Sequence, residues 1–176
     1  IYKNTNNVQF CFEKGIYNFG VGFLAKDNNK SSSFNGSGFS SINLNQPIYN
    51  YTTIDNQLNQ SCKQITTKPI PEKFIGDLIV TPDCVNDILS FLINSISDGA
   101  LISGTSIYKD KLNSQIANNK LTIHSRPLSD ELDDKYFYTY DGFEVKDSTI
   151  VDKGCLKSFL LSLYGANKTG FKKSDN

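Results

Sequence analysis

The chain has no methionine, no tryptophan and a single histidine, His124. A missing initiator Met is what an internal segment would show. Net charge is absent as well, because eighteen Lys and Arg balance eighteen Asp and Glu. A neutral chain carries no electrostatic footprint for nucleic acid, and no nucleic-acid contact is expected. No apolar run approaches the ~20 residues of a membrane span, so no membrane contact is expected. No signal peptide is visible. The four cysteines, Cys11, Cys62, Cys84 and Cys155, form no C-x-x-C pair. Their dispersal differs from a dense secreted disulfide framework, so reduced cytosolic thiols are expected. The N-x-[ST] triplets at Asn59 and Asn167 arise easily in an Asn- and Ser-rich chain.

What is present is a globular composition, with 38% hydrophobic and 20% charged residues over 176 positions. That length suits one domain or parts of two, and it can bury a core without staples. Val8–Glu13 and Ile16–Ala25 alternate apolar with polar residues on either side of Lys14-Gly15, which predicts a β-hairpin. Ser31–Ser41 reads as a third, weaker strand or as a Ser/Gly-rich loop. Thr53–Ile65 predicts a short helix with Ile54, Leu58, Cys62 and Ile65 on one face. Pro69 and Pro71 end it and mark a domain boundary.

Leu78-Ile79-Val80 reads as a short strand. Thr81-Pro82-Asp83 then starts a helix: Thr81 caps, Pro82 suits the first position, and Asp83 favours the positive end of the dipole. Val85, Ile88, Leu89, Leu92, Ile93 and Ile96 recur at helical spacing. Asp98-Gly99 stops or loosens that helix, and Ala100–Tyr108 reads as a second helical segment. Leu121–His124 reads as a strand ending before Pro127, and Leu128–Tyr136 as an acidic loop. Thr149–Val151 and Cys155–Leu161 flank Asp152-Lys153-Gly154 as a hairpin, with a short helix over Leu161–Lys168. The expected class is α+β, mostly antiparallel sheet with a few packed helices.

Several constellations carry little chemistry by themselves. Ser106 has no G-x-S-x-G elbow, so capping or packing is its expected role. Gly36-Ser37-Gly38 lacks the Lys of a phosphate loop and the third Gly of a dinucleotide turn. Asp130-Glu131 with Asp133-Asp134 lacks the loop Gly and final Glu of an EF-hand, and reads as a solvated acidic loop. A lone strand His such as His124 is usually structural or surface-exposed. Cys84 sits near a helix N-terminus and reads as a reactive thiol or as a residue buried beside Val85. Tyr136, Phe137, Tyr138 and Tyr140 read as strand packing or as the lining of a groove.

The chain from Asp77 onward resembles the TldD/PmbA family (modulator of DNA gyrase, peptidase U62). Four features carry the resemblance, in order. They are the Pro-started helix of Leu78–Ser97; Gly104-Thr105-Ser106-Ile107-Tyr108; Leu121-Thr122-Ile123 with the following Asp141-Gly142; and Asp152-Lys153-Gly154-Cys155-Leu156-Lys157-Ser158-Phe159-Leu160-Leu161-Ser162-Leu163-Tyr164. The last is similar to the family's E-N-G-V-L-K-G-Y-L-L-D-L-Y segment. Ser106, Asp141, Gly142, Gly154 and Tyr164 are thus the family-motif positions. The resemblance implies that residues 1–70 end the family's N-terminal α/β domain and that 71–176 begin its β-rich C-terminal domain.

TldD-type members carry H-E-x-x-x-H on the amphipathic helix. There the two His ligate Zn²⁺ and the Glu acts as general base on the metal-bound water. In this chain Leu89 and Asn94 stand where the two His would be, and Ser90 where the Glu would be. None can do that work. The resemblance therefore implies a PmbA/TldE-like member with no catalytic residue and no metal of its own. Zinc is expected only in a TldD-type partner. Such a protein would pair as a homo- or heterodimer in an intracellular, cytoplasmic metallopeptidase system acting on peptides or unfolded proteins. The alternatives are a metallopeptidase whose ligands lie outside this segment, or a homodimeric peptide-binding protein.

Overall fold

A computed structural model describes residues 1–70 and 72–175, and of Asp83 the backbone alone. The roles expected of Pro71 and of the Asp83 side chain lie outside that description. The chain forms two compact units. One is Cys11–Gly76; the other joins Ile1–Phe10 to the chain from Asp77 onward.

The second of these begins with a small hairpin, β1 (Tyr2–Lys3) and β2 (Gln9–Phe10), paired antiparallel. Asn4 makes its turn: its side-chain oxygen accepts from the backbone N–H of Asn6 and of Val8, and Asn7 takes a left-handed φ of 62°. The hairpin expected between Val8–Glu13 and Ile16–Ala25 is therefore corrected. The polar Asn-rich turn captures Gln9–Phe10 for the N-terminus.

In the Cys11–Gly76 unit, β3 (Tyr17–Phe23) pairs instead with β6 (Asn35–Ser41), in register from Tyr17↔Ser41 to Phe23↔Asn35. A short ribbon of β4 (Lys26–Asp27) and β5 (Lys30–Ser31) closes the loop between them. Its turn uses Asn28 at φ 50°, a left-handed conformation that Asn tolerates. The Ser/Gly stretch is thus a full strand. Phe19, Val21 and Phe23 lie on one face with Phe39, and Gly20, Gly22, Gly36 and Gly38 on the other. A 3₁₀ turn at Ile48–Tyr51 precedes α1 (Ile54–Gln64).

The helix α1 matches the expected span, and its apolar face is only partly covered. Ser61 is buried, while Leu58 and Cys62 are exposed. The helix packs on β6, and the Asn35 amide there donates to Gln64 at 3.0 Å. A strand whose one large apolar residue is Phe39 offers little surface to hold an apolar stripe.

The chain from Asp77 opens without regular structure. Leu78–Val80 is not a strand, because no ladder among the described residues receives it. The helix α2 (Pro82–Ser95) follows, with Pro82 at its first turn; Thr81 stands at the N-cap but makes no side-chain cap bond. Asp98-Gly99 does not merely end that helix. Asp98 begins α3 (Asp98–Ser103), closed by Gly104 at φ 75°. The helical segment expected over Ala100–Tyr108 stops at Ser103, and Thr105 onward is turn.

The remaining elements are β7 (Ile123–Ser125), β8 (Ser148–Asp152), β9 (Cys155–Leu156) and α4 (Leu163–Thr169). The strands form a sheet in the order β7-β8-β9, all antiparallel. The β8–β9 hairpin has the expected turn, with Lys153 and Gly154 at φ 45° and 77°. Two successive positive φ values are the signature of a type I′ turn. After Leu156 the expected strand gives way to an irregular run that carries Phe159 and Leu161 into the core. That core is Leu92, Ile96, Leu101, Ile150, Val151, Leu156, Phe159 and Leu161. The α+β class holds throughout.

Candidate functional site

On α2, Leu89, Ser90 and Asn94, which the resemblance sets at the zinc-motif positions, sit where the helix passes from exposed to buried. Leu89 and Ser90 are half-buried and Asn94 is exposed. The Ser90 hydroxyl donates back to the Asp87 carbonyl at 2.7 Å. An aliphatic side chain, a hydroxyl bonded to its own helix and a neutral amide make no zinc donor set, which needs imidazole, thiolate or carboxylate. The metal does not fit these residues. Among the described residues no group of three or more His, Cys, Asp and Glu side chains is placed to hold an ion.

Of the other residues that the resemblance sets at motif positions, Asp141 bonds at the start of α4. The Asp141 carboxylate accepts from the Leu163 N–H at 2.8 Å, at the first turn of α4. Asp98, from α3, accepts from the Ser162 N–H at 3.0 Å and takes a shorter hydrogen bond from the Ser162 hydroxyl. That same hydroxyl oxygen accepts from the Gly165 N–H as an N-cap. Two carboxylates thus meet the positive end of a helix whose last turn carries Lys168. Gly165 is buried, and a Cβ there would collide with the Asp98 carboxylate. Sequence reasoning misses this latch. Its one signal is Asp98-Gly99, which by itself reads only as a stop or loosening of the helix.

Gly142, at φ 81°, lies against the Tyr2 ring, so any side chain there would strike it. Tyr2 stacks on Phe10, and Phe10 stacks on Tyr138 with centroids 3.5 Å apart. This three-ring stack seats the N-terminal hairpin. Tyr138 therefore packs, whereas Tyr136, Phe137 and Tyr140 are exposed. Gly154 is the hub of the loop before β7. Its carbonyl accepts from the N–H of Ile116 and of Ala117, and its N–H donates to Leu121 at 2.7 Å. A Cβ on it would collide with the Ala117 carbonyl. Tyr164 is exposed, with the Lys168 ammonium 5.6 Å from its ring centroid.

The remaining candidates are local. The Ser106 hydroxyl oxygen accepts from the Tyr108 N–H at 3.1 Å, which is a turn bond. His124 is exposed, with Nδ1 3.0 Å from the Thr149 hydroxyl across the β7–β8 ladder. Cys84 is exposed, and all four cysteines are free thiols. In the acidic loop Lys135 meets Asp130 at 2.5 Å. That hydrogen bond, and then the lysine's charge, holds the Asp130 carboxyl below its ordinary pKa. Gly36-Ser37-Gly38 lies within β6 rather than in a phosphate loop.

Against known proteins, a family profile described as the PmbA/TldA metallopeptidase C-terminal domain matches residues 75–176. No curated protein matches the chain. Three solved structures are similar. TldE from Thermococcus kodakarensis is 14% identical, with a TM-score of 0.71, over 98% of this chain and 38% of its own. A protein described as a modulator of DNA gyrase from Bacteroides thetaiotaomicron is 19% identical, with a TM-score of 0.68, over 90% and 36%. Another so described, from Thermotoga maritima, is 18% identical, with a TM-score of 0.63, over 90% and 36%. At these identities the likeness is one of fold. The chain spans well under half the length of each.

Proposed function

The chain belongs to the PmbA/TldA metallopeptidase family, and from that premise we propose that it serves as a PmbA/TldE-like, non-catalytic subunit of a zinc-metallopeptidase system. The single observation that carries this reading is the chemistry of α2. The resemblance sets Leu89, Ser90 and Asn94 at the zinc-motif positions, and none supplies a metal ligand or a general base. The system would act in the cytoplasm on peptides or unfolded proteins, with the zinc held by a TldD-type partner subunit in a dimer. We assign residues 1–70 to the end of the family's N-terminal domain and 71–176 to the start of its C-terminal domain. Asp98, Asp141, Gly142 and Gly154 then hold the scaffold and touch no substrate.

The test uses the intact gene product. Metal analysis after purification is expected to find zinc far below one equivalent, with no peptidase activity alone. Activity is expected on adding a family member that carries H-E-x-x-x-H. One zinc per chain, or hydrolysis without a partner that chelator abolishes, would overturn the reading.

A further inference from the structure

The chain holds a single Asn-Gly pair, Asn35-Gly36, at the start of β6. In such a pair the backbone nitrogen of the glycine can attack the side-chain carbonyl carbon of the asparagine, because no Cβ shields that nitrogen. Gly36 is exposed, on the open glycine face of the β3–β6 sheet. Around the place of its absent Cβ, the one atom of the described residues within 4 Å is the Val21 carbonyl oxygen, at 3.5 Å. Asn35 pairs with Phe23 at the end of the ladder, and residues 32–34 before it have no regular structure. Its side-chain amide clasps α1. It donates to the Ser33 carbonyl at 2.8 Å and to Oε1 of Gln64, the last residue of α1, at 3.0 Å; Gln64 Nε2 donates back to its Oδ1 at 3.4 Å. Ring closure requires the backbone at Asn35 to leave the extended conformation of a strand. A two-stranded sheet is marginal by itself, and ladder ends open first. Among the described residues of Cys11–Gly76 no apolar side chain is buried to oppose that opening.

We propose that Asn35 is a site of spontaneous deamidation, and that its conversion unfastens β6 from α1. The Gly36 nitrogen bonds to Asn35 Cγ, the Cγ–Nδ2 bond breaks, and Nδ2 leaves as ammonia with the proton of the Gly36 N–H. Solvent water then opens the succinimide ring, at one carbonyl to give aspartate and at the other to give isoaspartate. No oxidant or reductant is needed. An ionised carboxylate only accepts hydrogen bonds. The Ser33 carbonyl therefore loses its donor. Gln64 can meet the new charge only by turning its amide, so the two-way bond becomes one-way. Isoaspartate also lengthens the backbone by a carbon before Gly36, which displaces residues 36–41 from their partners in β3. The proposal is independent of the catalytic reading.

The test incubates the intact gene product at mildly alkaline pH and maps its peptides by mass. Asn94-Ser95 and Asn113-Ser114 are internal references, since their attacking nitrogens lie in a helix and in a turn bond to the Lys111 carbonyl. Asn35 is expected to lose its amide while both references keep theirs. Gly36→Ala adds a methyl that fits beside Val21 and shields the nitrogen, so this variant is expected to keep the Asn35 amide through the same incubation. Amides of α1 and β6 are expected to exchange roughly 5-fold faster in the converted protein. Asn35→Asp, without incubation, is expected to show the α1 part of that increase. Conversion of Asn94 or Asn113 ahead of Asn35 would overturn the site, as would conversion of Gly36→Ala as fast as the parent. Unchanged exchange in both the converted protein and Asn35→Asp would overturn the unfastening.

Discussion

The two units of this chain bury different things. The unit that contains α2–α4 and the β7-β8-β9 sheet encloses nine apolar residues, among them Ile96, Val151 and Leu156 at 0% exposure. Among the described residues of Cys11–Gly76, the buried ones are three serines: Ser32, Ser41 and Ser61. Phe34 at 75%, Tyr49 at 63% and Tyr17 at 55% stay in solvent there. Both units have regular elements, so hydrogen-bonded secondary structure alone does not distinguish them. Apolar burial does. At about 25 cal/mol per Å² it is the term that offsets conformational entropy, and a two-stranded sheet is marginal without a packed face. The difference teaches that one unit has a fold with its own core, while the other has a shape that its own residues scarcely hold.

The largest expected effect separates the two directly. Leu156→Ala, in the core, should cost about 2–5 kcal/mol, read by denaturant unfolding or by exchange of amides in β8 and β9. Leu58→Ala, on the exposed stripe of α1, should cost less than about 1 kcal/mol. An equal cost at Leu58 would break the comparison, and would mean that this helix face is covered in the intact protein. A smaller effect contrasts two glycines. At Gly154 a side chain meets both a positive φ and the Ala117 carbonyl, so Gly154→Ala should cost about 1–3 kcal/mol. Around Gly20, in β3, no atom lies within 4 Å of the place a Cβ would take. Gly20→Ala should be neutral or stabilise by up to about 1 kcal/mol. Thermal melts of both variants measure the contrast.

The sequence was legible where local chemistry and tertiary demand agree. Pro82 and the apolar repeat through Ile96 specify α2. Lys153-Gly154 specifies the hairpin turn, because few pairs accept two positive φ values. The family resemblance over Asp152–Tyr164 is legible for the same reason: Gly154, Leu156, Phe159 and Leu161 are fixed by turn and core together. It failed where pairing depends on distant chain. Alternation in Val8–Glu13 and Ile16–Ala25 shows two extended runs but not their partners, and the Asn-rich turns at Asn4–Asn7 and Asn28 redirected both. Periodicity puts Ile54, Leu58, Cys62 and Ile65 on one face, but which way that face points is set only by what lies opposite. The Asp98–Ser162 latch spans sixty-four positions, and no local pattern reports it. At the candidate site, the lack of ligand chemistry in Leu89, Ser90 and Asn94 is read from residue type alone and needs no coordinates.

The smallest expected effect asks whether charge also separates the units. Lys135 and Asp130 form a close ion pair in the core-bearing unit, and the Asp130 side chain is fully in solvent. Its folded pKa is lowered by Lys135. A depressed carboxyl pKa contributes stability above the unfolded value, about 3.9, and that contribution is lost as pH falls through the folded one. Solvent and salt screen such a pair strongly. Lys135→Ala should therefore move Tm at pH 7 by no more than about 1 °C. Any shift should shrink in 1 M salt and vanish once the pH is below the folded pKa. A larger shift that survives salt would mean that surface charge supports this unit as well as its core. The contrast with Cys11–Gly76 would then rest on two terms instead of one.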